Sequence, residues 1–237
     1  MPKHGKRYRD ALAEVAREDQ YDLEGAITVL KRTATSKFDE TVEIHLRTGC
    51  DPRHADQLVR GVAALPHGLG KEVRVAVFAS GDAARQAQEA GADAVGEDDL
   101  IKRIENGWVE FDVAIATPEI MGKIARLGRI LGRRGLMPNP KSGTVVQAQD
   151  IPRAINDARM GRVEFRMDRT AIIHVPVGKV NFEEGALLDN LVTIVDNVVR
   201  ARPTGLKGQY IRSAYLTSTM GPSIRLDLSK LLTVTVE

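Results

Sequence analysis

Three groups of residues have types and spacings that could do chemistry. The row Ser213, Thr217 and Thr219 leads into the turn Met220-Gly221-Pro222. On a regular strand Ser213, Tyr215, Thr217 and Thr219 point to one side, and each hydroxyl both donates and accepts a hydrogen bond. Such a row suits the 2′-hydroxyls displayed by structured RNA; taken alone it reads first as an edge strand, because threonine favours strands. A second cluster, Ser36-Lys37-Phe38-Asp39-Glu40-Thr41, offers a cation, a ring and hydroxyls between a helix and a strand. Its plain alternative is a helix exit with Phe38 packed in the core. The third group is basic. No acid lies between Glu119 and Asp150, whereas Lys123, Arg126, Arg129, Arg133, Arg134 and Lys141 are all cationic. If the first part is helical, Lys123, Arg126, Arg129 and Arg133 form one stripe. Gly122, Gly128, Gly132 and Gly135 bring the backbone close to whatever docks there. The missing acids point to an anionic partner, the alternative being a solvated helix face.

No catalytic constellation accompanies these groups. A Walker loop needs an earlier glycine where Leu65 stands, and a hydroxyl after Gly70-Lys71 where Glu72 stands. The turn Ala79-Ser80-Gly81-Asp82 lacks the glycines that let a dinucleotide pyrophosphate approach. His4, His45, His54, His67 and His174 are scattered, without the spacing of zinc ligands. His45 and His174 fall on polar or half-exposed strand faces, which makes His174 a surface or hydrogen-bonded histidine rather than a base. The acidic runs Glu97-Asp98-Asp99 and Glu183-Glu184 lie at helix starts, where the dipole explains them. Cys50 is the single cysteine, so an intramolecular disulfide and a Cys-rich zinc site are excluded, and a reducing compartment fits. The expectation is no enzyme, no cofactor and no metal.

The elements that must hold these residues follow from 237 residues of which 43% are hydrophobic, enough for an ordinary core and too many for wholesale disorder. Lys plus Arg is 34 against 32 for Asp plus Glu, so the total charge of +2 announces no nucleic-acid binding by itself. With only 5 Phe, 4 Tyr and 1 Trp, a surface lined with rings for stacking single-stranded bases is disfavoured. The start, Met1 to Asp10, lacks the apolar segment of a secretory signal, and no apolar run approaches the roughly 18 residues of a membrane helix. A soluble cytosolic protein without a membrane partner is expected.

Along the chain, a basic tip (Lys3, Lys6, Arg7, Arg9) precedes a short helical stretch. Asp22 can cap a helix carrying Leu23, Ala26, Ile27 and Leu30, with Lys31 and Arg32 at its end. Val42, Ile44 and Leu46 then alternate with Glu43, His45 and Arg47 as a half-buried strand. Beyond the connector Pro66-His67-Gly68-Leu69-Gly70 the texture changes. Apolar strands near Val73–Val77, Ala92–Val95 and Val113–Ala116 alternate with helices, which predicts βαβ units and a sheet covered on both faces. After Gly161 the alternating texture returns in Val163, Phe165 and Met167, then in Ile173, Val175 and Val177. Asn181 and Glu184 resemble a capping box before the apolar helical face of Leu187, Leu188, Leu191, Ile194, Val195 and Val198. Two strands, about 210–220 and 223–228, meet at Gly221-Pro222. The two textures predict α/β and α+β architecture in two domains, 1–67 plus 161–237 and an inserted α/β domain at 68–160. Three small continuous domains are the alternative, disfavoured because neither flank alone offers a good core.

Several strings carry a resemblance: Lys37-Phe38-Asp39-Glu40-Thr41-Val42-Glu43, Leu65-Pro66-His67-Gly68-Leu69-Gly70-Lys71, Gly107-Trp108, Phe111-Asp112-Val113-Ala114-Ile115-Ala116-Thr117-Pro118, Leu136-Met137-Pro138-Asn139-Pro140-Lys141 and Ser218-Thr219-Met220-Gly221-Pro222. Over about residues 2–228 the chain resembles the family of bacterial large-subunit ribosomal protein number one, which sits on the mobile stalk beside the tRNA exit site. The resemblance implies a discontinuous α+β sandwich domain with a Rossmann-like three-layer α/β domain inserted through two hinge strands, near Pro66, His67, Gly68 and Gly161. It implies binding to the 23S rRNA stalk, help in releasing deacylated exit-site tRNA, and repression of the protein's own operon mRNA through a similar RNA structure. The rRNA surface carries over to Lys37, Phe38, Thr41, Thr217, Ser218, Thr219, Met220 and Gly221, joined by Ser213 from the hydroxyl row, with Arg166 and Arg169 as weaker members. The basic stretch 123–141 would be a secondary contact. The partners are thus the large ribosomal subunit, its rRNA, tRNA and mRNA, with a monomer when free and a location in the cytoplasm on the ribosome. Two departures stand out. The family usually has proline where Arg133 stands, and the tail Ser229–Glu237 is longer than expected and alternates like a strand (Leu232, Val234, Val236). The rivals are an enzyme holding a nucleotide or sugar phosphate in the insert, and a repressor or chaperone that stays off the ribosome.

Overall fold

The computed structural model describes residues 5–15 and 19–233. The chain opens with α1 (Lys6–Ala13), α2 (Leu23–Thr33), β1 (Thr41–Thr48) and β2 (Arg60–Ala64). Its middle holds β3 (Val75–Phe78), α3 (Gly81–Glu89), β4 (Ala94–Gly96), α4 (Asp98–Glu105), β5 (Val113–Ala116), two single turns α5 (Met121–Ile124) and α6 (Gly128–Leu131), and α7 (Ile151–Arg159). It closes with β6 (Arg162–Arg166), β7 (Ile172–Lys179), α8 (Glu184–Arg200), β8 (Ile211–Ser218), β9 (Ile224–Arg225) and α9 (Leu228–Leu231). Contacts divide this mixed α/β chain into two compact units, one of residues up to Gly70 and from Val163 onward, the other Lys71–Arg162.

In the first unit a sheet runs in the order β7-β1-β8-β9, with neighbouring strands antiparallel. The two-residue alternation of β1 decides its faces. Val42, Ile44 and Leu46 turn inward beside Ile173, Val175 and Val177 of β7 and Leu216 of β8. They meet Ala26, Ile27 and Leu30 of α2 and Leu191, Ile194, Val195 and Val198 of α8 in one core. Each such Leu or Ile buried from water contributes roughly 1.5–3 kcal/mol. The opposite face is polar and carries Glu43, His45, Arg47, His174, Ser213, Tyr215 and Thr217. Asp22 caps α2 by accepting the Gly25 N–H at 3.2 Å, a cap worth about 1 kcal/mol.

The expected capping box at α8 does not form. The cap position falls on Glu183 and makes no side-chain bond. Asn181 instead donates its N–H to Asp39 Oδ1 at 3.3 Å, and the Glu184 carboxylate accepts from Thr28 Oγ1 at 3.2 Å. The chain leaving β7 is committed to the loop before β1, which takes Asn181 away from the helix. The expected strand in the tail is also corrected. Asp227 accepts the Ser229 N–H at 2.9 Å and starts α9, whose Leu231 fills the core. Leu232 follows as its C-cap, and Val234 and Val236 lie outside the described residues. The tip residue Lys3 also lies outside them, while Lys6, Arg7 and Arg9 belong to α1.

The second unit is built on a parallel sheet, β4-β3-β5. All four residues of β3 are buried, because helices cover both faces and leave no polar side. Ala87 of α3 and Ile151, Ile155 and Ala158 of α7 pack on one face. On the other lie Leu100, Ile101 and Ile104 of α4 with Ile124, Leu127 and Leu131. The basic stretch is helical in short turns rather than as one regular α-helix. Residues 118–134 alternate 3-10 and single α turns, with Ile120, Ile124, Leu127 and Leu131 buried and Lys123, Arg126 and Arg133 exposed. The turn Gly132–Arg134, where Arg133 stands, stops at Gly135 with a left-handed φ of 72°.

Candidate nucleic-acid interface

The pairing of β1 with β8 sets Val42 opposite Ser218 and Glu43 opposite Thr217. This brings the segment before β1 beside the turn after β8. Two threonines close the end of the ladder: Thr219 N–H donates to the Thr41 carbonyl at 3.1 Å, and Thr41 N–H donates to Thr219 Oγ1 at 3.0 Å.

Glu40 holds the two segments together. Its side chain is 2% exposed. One carboxylate oxygen accepts the Ser36 N–H at 3.1 Å and the other the Met220 N–H at 2.9 Å. Burial pushes its pKa up, but the Met220 N–H, the Ser36 and Ser218 hydroxyls and the Ser36 N–H outweigh this, and the net direction is down. Those hydroxyls lie close enough to favour the charge, although neither completes a hydrogen bond of full geometry. Lys179 braces the same segment, donating from Nζ to Thr41 Oγ1 at 2.9 Å and to the Asp39 carbonyl at 3.4 Å. Val180 N–H donates to the Glu40 carbonyl at 3.0 Å.

On this braced base the exposed groups stand out. Phe38 is 55% exposed and Met220 48%, which overturns the alternative in which Phe38 packs in the core. Lys37 is exposed and makes no ion pair among the described residues. Lys37, Phe38, Thr41, Thr217, Thr219, Met220 and Gly221 are brought together as one tip. Ser218 is corrected: it points inward and is buried, so it offers no hydroxyl to solvent. A Cβ on Gly221 would collide with the Ser218 hydroxyl, which explains the glycine there. The hydroxyl row is otherwise realised, with Ser213, Tyr215 and Thr217 half-exposed on the polar face.

Arg166 and Arg169 are exposed but belong to the other end of the sheet. There Thr48 donates to Met167 Sδ at 3.2 Å, and Asp168 starts the turn into β7. An eight-residue strand separates this end from Thr41, about 25 Å at strand rise. The basic stretch is also revised. Lys123 pairs with Glu97 at 2.5 Å and Asp98 at 3.5 Å, and Arg126 with Glu105 at 3.3 Å and Asp98 at 4.0 Å. The acids missing from the sequence around these cations come from α4 and from Glu97 just before it. Arg129, Arg133 and Arg134 have no ion pair among the described residues, and the Lys141 side chain lies outside them.

At the connector, His67 N–H donates to Asn190 Oδ1 at 3.1 Å, and Asn190 Nδ2 donates to the Gly68 and Val177 carbonyls at 2.9 and 2.8 Å. His67 and Gly68 are therefore tied down to α8. Gly161 has φ of 101°, a backbone conformation that glycine alone enters freely. Glu40, Lys179 and Asn190 are structural supports that composition did not reveal. The only sequence signal for Glu40 was its place inside the Lys37–Glu43 string.

Among the described residues no His, Cys, Asp and Glu group is arranged to hold a metal ion, and no helix is long and apolar enough to cross a membrane. The family model for ribosomal protein L1p/L10e matches residues 30–222. The chain is 57% identical over 228 residues to the large ribosomal subunit protein uL1 of Dehalococcoides mccartyi, covering 96% of each. It is also 57% identical over 229 residues to the uL1 of Chloroflexus aggregans, covering 96% of this chain and 97% of that one.

Proposed function

Because the chain belongs to the ribosomal protein L1p/L10e family, a family of structural and not catalytic proteins, we propose that it is a cytoplasmic constituent of the large ribosomal subunit that grips a folded stalk of 23S rRNA through the tip of its first unit. The observation that carries this is the Glu40 clamp, which fixes the loop before β1 and the turn after β8 as one surface. Lys37 would face a phosphate and set register. Phe38 and Met220 would lie against sugars or an unstacked base, and the half-exposed hydroxyls would meet 2′-hydroxyls in a shallow groove. Charge is sparse at this tip, so few counterions are released and affinity falls gently with salt.

On the same reading, the stalk carries the protein as it moves, and that movement helps deacylated tRNA leave. A messenger with a similar RNA structure competes for the tip, which represses the protein's own operon. The free protein is a monomer, and its two units act as domains joined at 70–71 and 162–163, beyond the tied residues 67–68. Cosedimentation with the large subunit tests the core of this proposal: the wild-type chain travels with the particle, whereas folded Gly221→Val stays near the top of the gradient. Wild-type cosedimentation of folded Gly221→Val and Thr219→Ala would remove the tip from the account.

A further inference from the structure

The polar sheet face holds a chain of hydrogen-bonding groups that runs across three strands to Thr217. His45 on β1 lies opposite His174 on β7 and beside β8. The two rings stand edge to face, with Nδ1 to Nδ1 at 2.8 Å. His45 Nε2 is 3.0 Å from Thr217 Oγ1, and His174 Nε2 is 3.5 Å from Asp168 Oδ2. From these contacts we infer that a fixed order of protons along Asp168, His174, His45 and Thr217 turns the Thr217 hydroxyl inward as a donor, so that it offers only lone pairs to a ligand and selects a ribose 2′-OH that donates. The inference rests on the RNA-binding reading above and deepens it.

The order follows from the end groups. Asp168 is a carboxylate at neutral pH: burial raises its pKa, but the N–H groups of Ile172 and Thr170 and the Thr170 hydroxyl bring it down to about 2. A carboxylate only accepts, so His174 Nε2 carries the proton that faces it. In the neutral ring His174 Nδ1 is then bare and accepts, and His45 Nδ1 must hold the proton of the 2.8 Å contact. His45 Nε2 is left bare and takes the Thr217 proton. Glu43 pulls the other way, because its carboxylate lies 3.9 Å from His45 Nε2. It is farther off than Asp168, and no N–H among the described residues holds it in place, so Asp168 sets the order. An acceptor held in this way rewards a donor and repels another acceptor. Deoxyribose offers neither.

Two measurements on the full chain test this. The first is the tautomer of each ring, read from long-range ¹⁵N–¹H couplings at about pH 8, where histidine is neutral. The expected result is His174 protonated on Nε2 and His45 on Nδ1; His45 protonated on Nε2 overturns the inference. The second is a scan of a hairpin carrying the 23S rRNA stalk segment, with single riboses changed to 2′-deoxy or 2′-fluoro. One ribose is expected where both changes weaken wild-type binding about tenfold, with no further effect in Thr217→Val. Fluorine accepts but does not donate, so tolerance of 2′-fluoro at that ribose overturns the inference. Tight binding with no ribose coupled to Thr217 also overturns it and leaves the proposed function standing. If the all-ribose hairpin does not bind, both fall.

Discussion

The tip of the first unit and the basic stretch of the second would meet an anion with opposite resources. The tip has little positive charge, and a buried carboxylate stands at its centre, but the Ser36, Thr41 and Met220 N–H groups around it are all held. The basic stretch has six cations in sequence. Two of them are spent on Glu97 and the acids of α4, and the backbone beneath alternates between two helix types. On the proposed reading, local charge density is a poor guide to where the RNA is gripped. A charged side chain on a mobile stem attracts phosphate wherever it occurs, whereas a fixed set of donors and acceptors recognises one shape.

The sharpest way to break this comparison is to remove Glu40. Glu40→Ala leaves the Ser36 and Met220 N–H groups without partners and is expected to cost about 3 kcal/mol in urea unfolding. Stalk RNA affinity should fall about thirtyfold or more. An unchanged affinity would show that the tip needs no clamp. Next come the exposed apolar groups. Phe38→Ala or Met220→Ala should weaken RNA binding about tenfold, while thermal stability stays within about 0.5 kcal/mol because little packing is lost.

A smaller effect is expected from pH. His45 has its pKa lowered, by burial first and by His174 second, against the pull of Glu43. The neighbouring titratable groups are His174, Asp168 and, opposite on β8, Tyr215. A depressed value means that the unfolded chain takes up the proton first. The stabilising contribution is full above the ordinary value of 6.5 and is lost as pH falls through the lowered folded value. Urea midpoints measured across this range should decline in the wild type and flatten in His45→Gln. The smallest effect is reserved for the basic stretch. Changing Arg129, Arg133 and Arg134 together to Gln should alter stalk RNA affinity less than about threefold and leave its salt slope nearly as before. A slope that drops by more than about two would return the stretch to the main interface.

Much of the fold was legible because burial imposes a period. The alternation of Val42, Ile44 and Leu46 announced β1 and its inner face, Asp22 announced the start of α2, and Glu97-Asp98-Asp99 announced the start of α4. The misreadings share a cause. Asn181 and Glu184 had the spacing of a capping box but distant partners, Asp39 and Thr28. Leu232 was read into a strand, yet Asp227 had already turned the chain into α9, which Leu232 caps. At the interface, the tip residues were named through their resemblance, while Phe38 read from pattern alone had the better claim to the core. Asn190 was hidden within an apolar helix, where nothing marked it as the anchor of the connector.

By itself the sequence determined which residues face inward, where most helices and strands begin, and that no catalytic set is present, since these depend on composition and on contacts between near neighbours. Only the tertiary structure decided that Glu40 is a clamp, that Ser218 is spent inside, that α4 neutralises Lys123 and Arg126, and that two histidines 129 positions apart share one contact. Each of these is a pairing of groups far apart in the chain, and the energy of a charge or a hydroxyl depends on which partner folding brings to it.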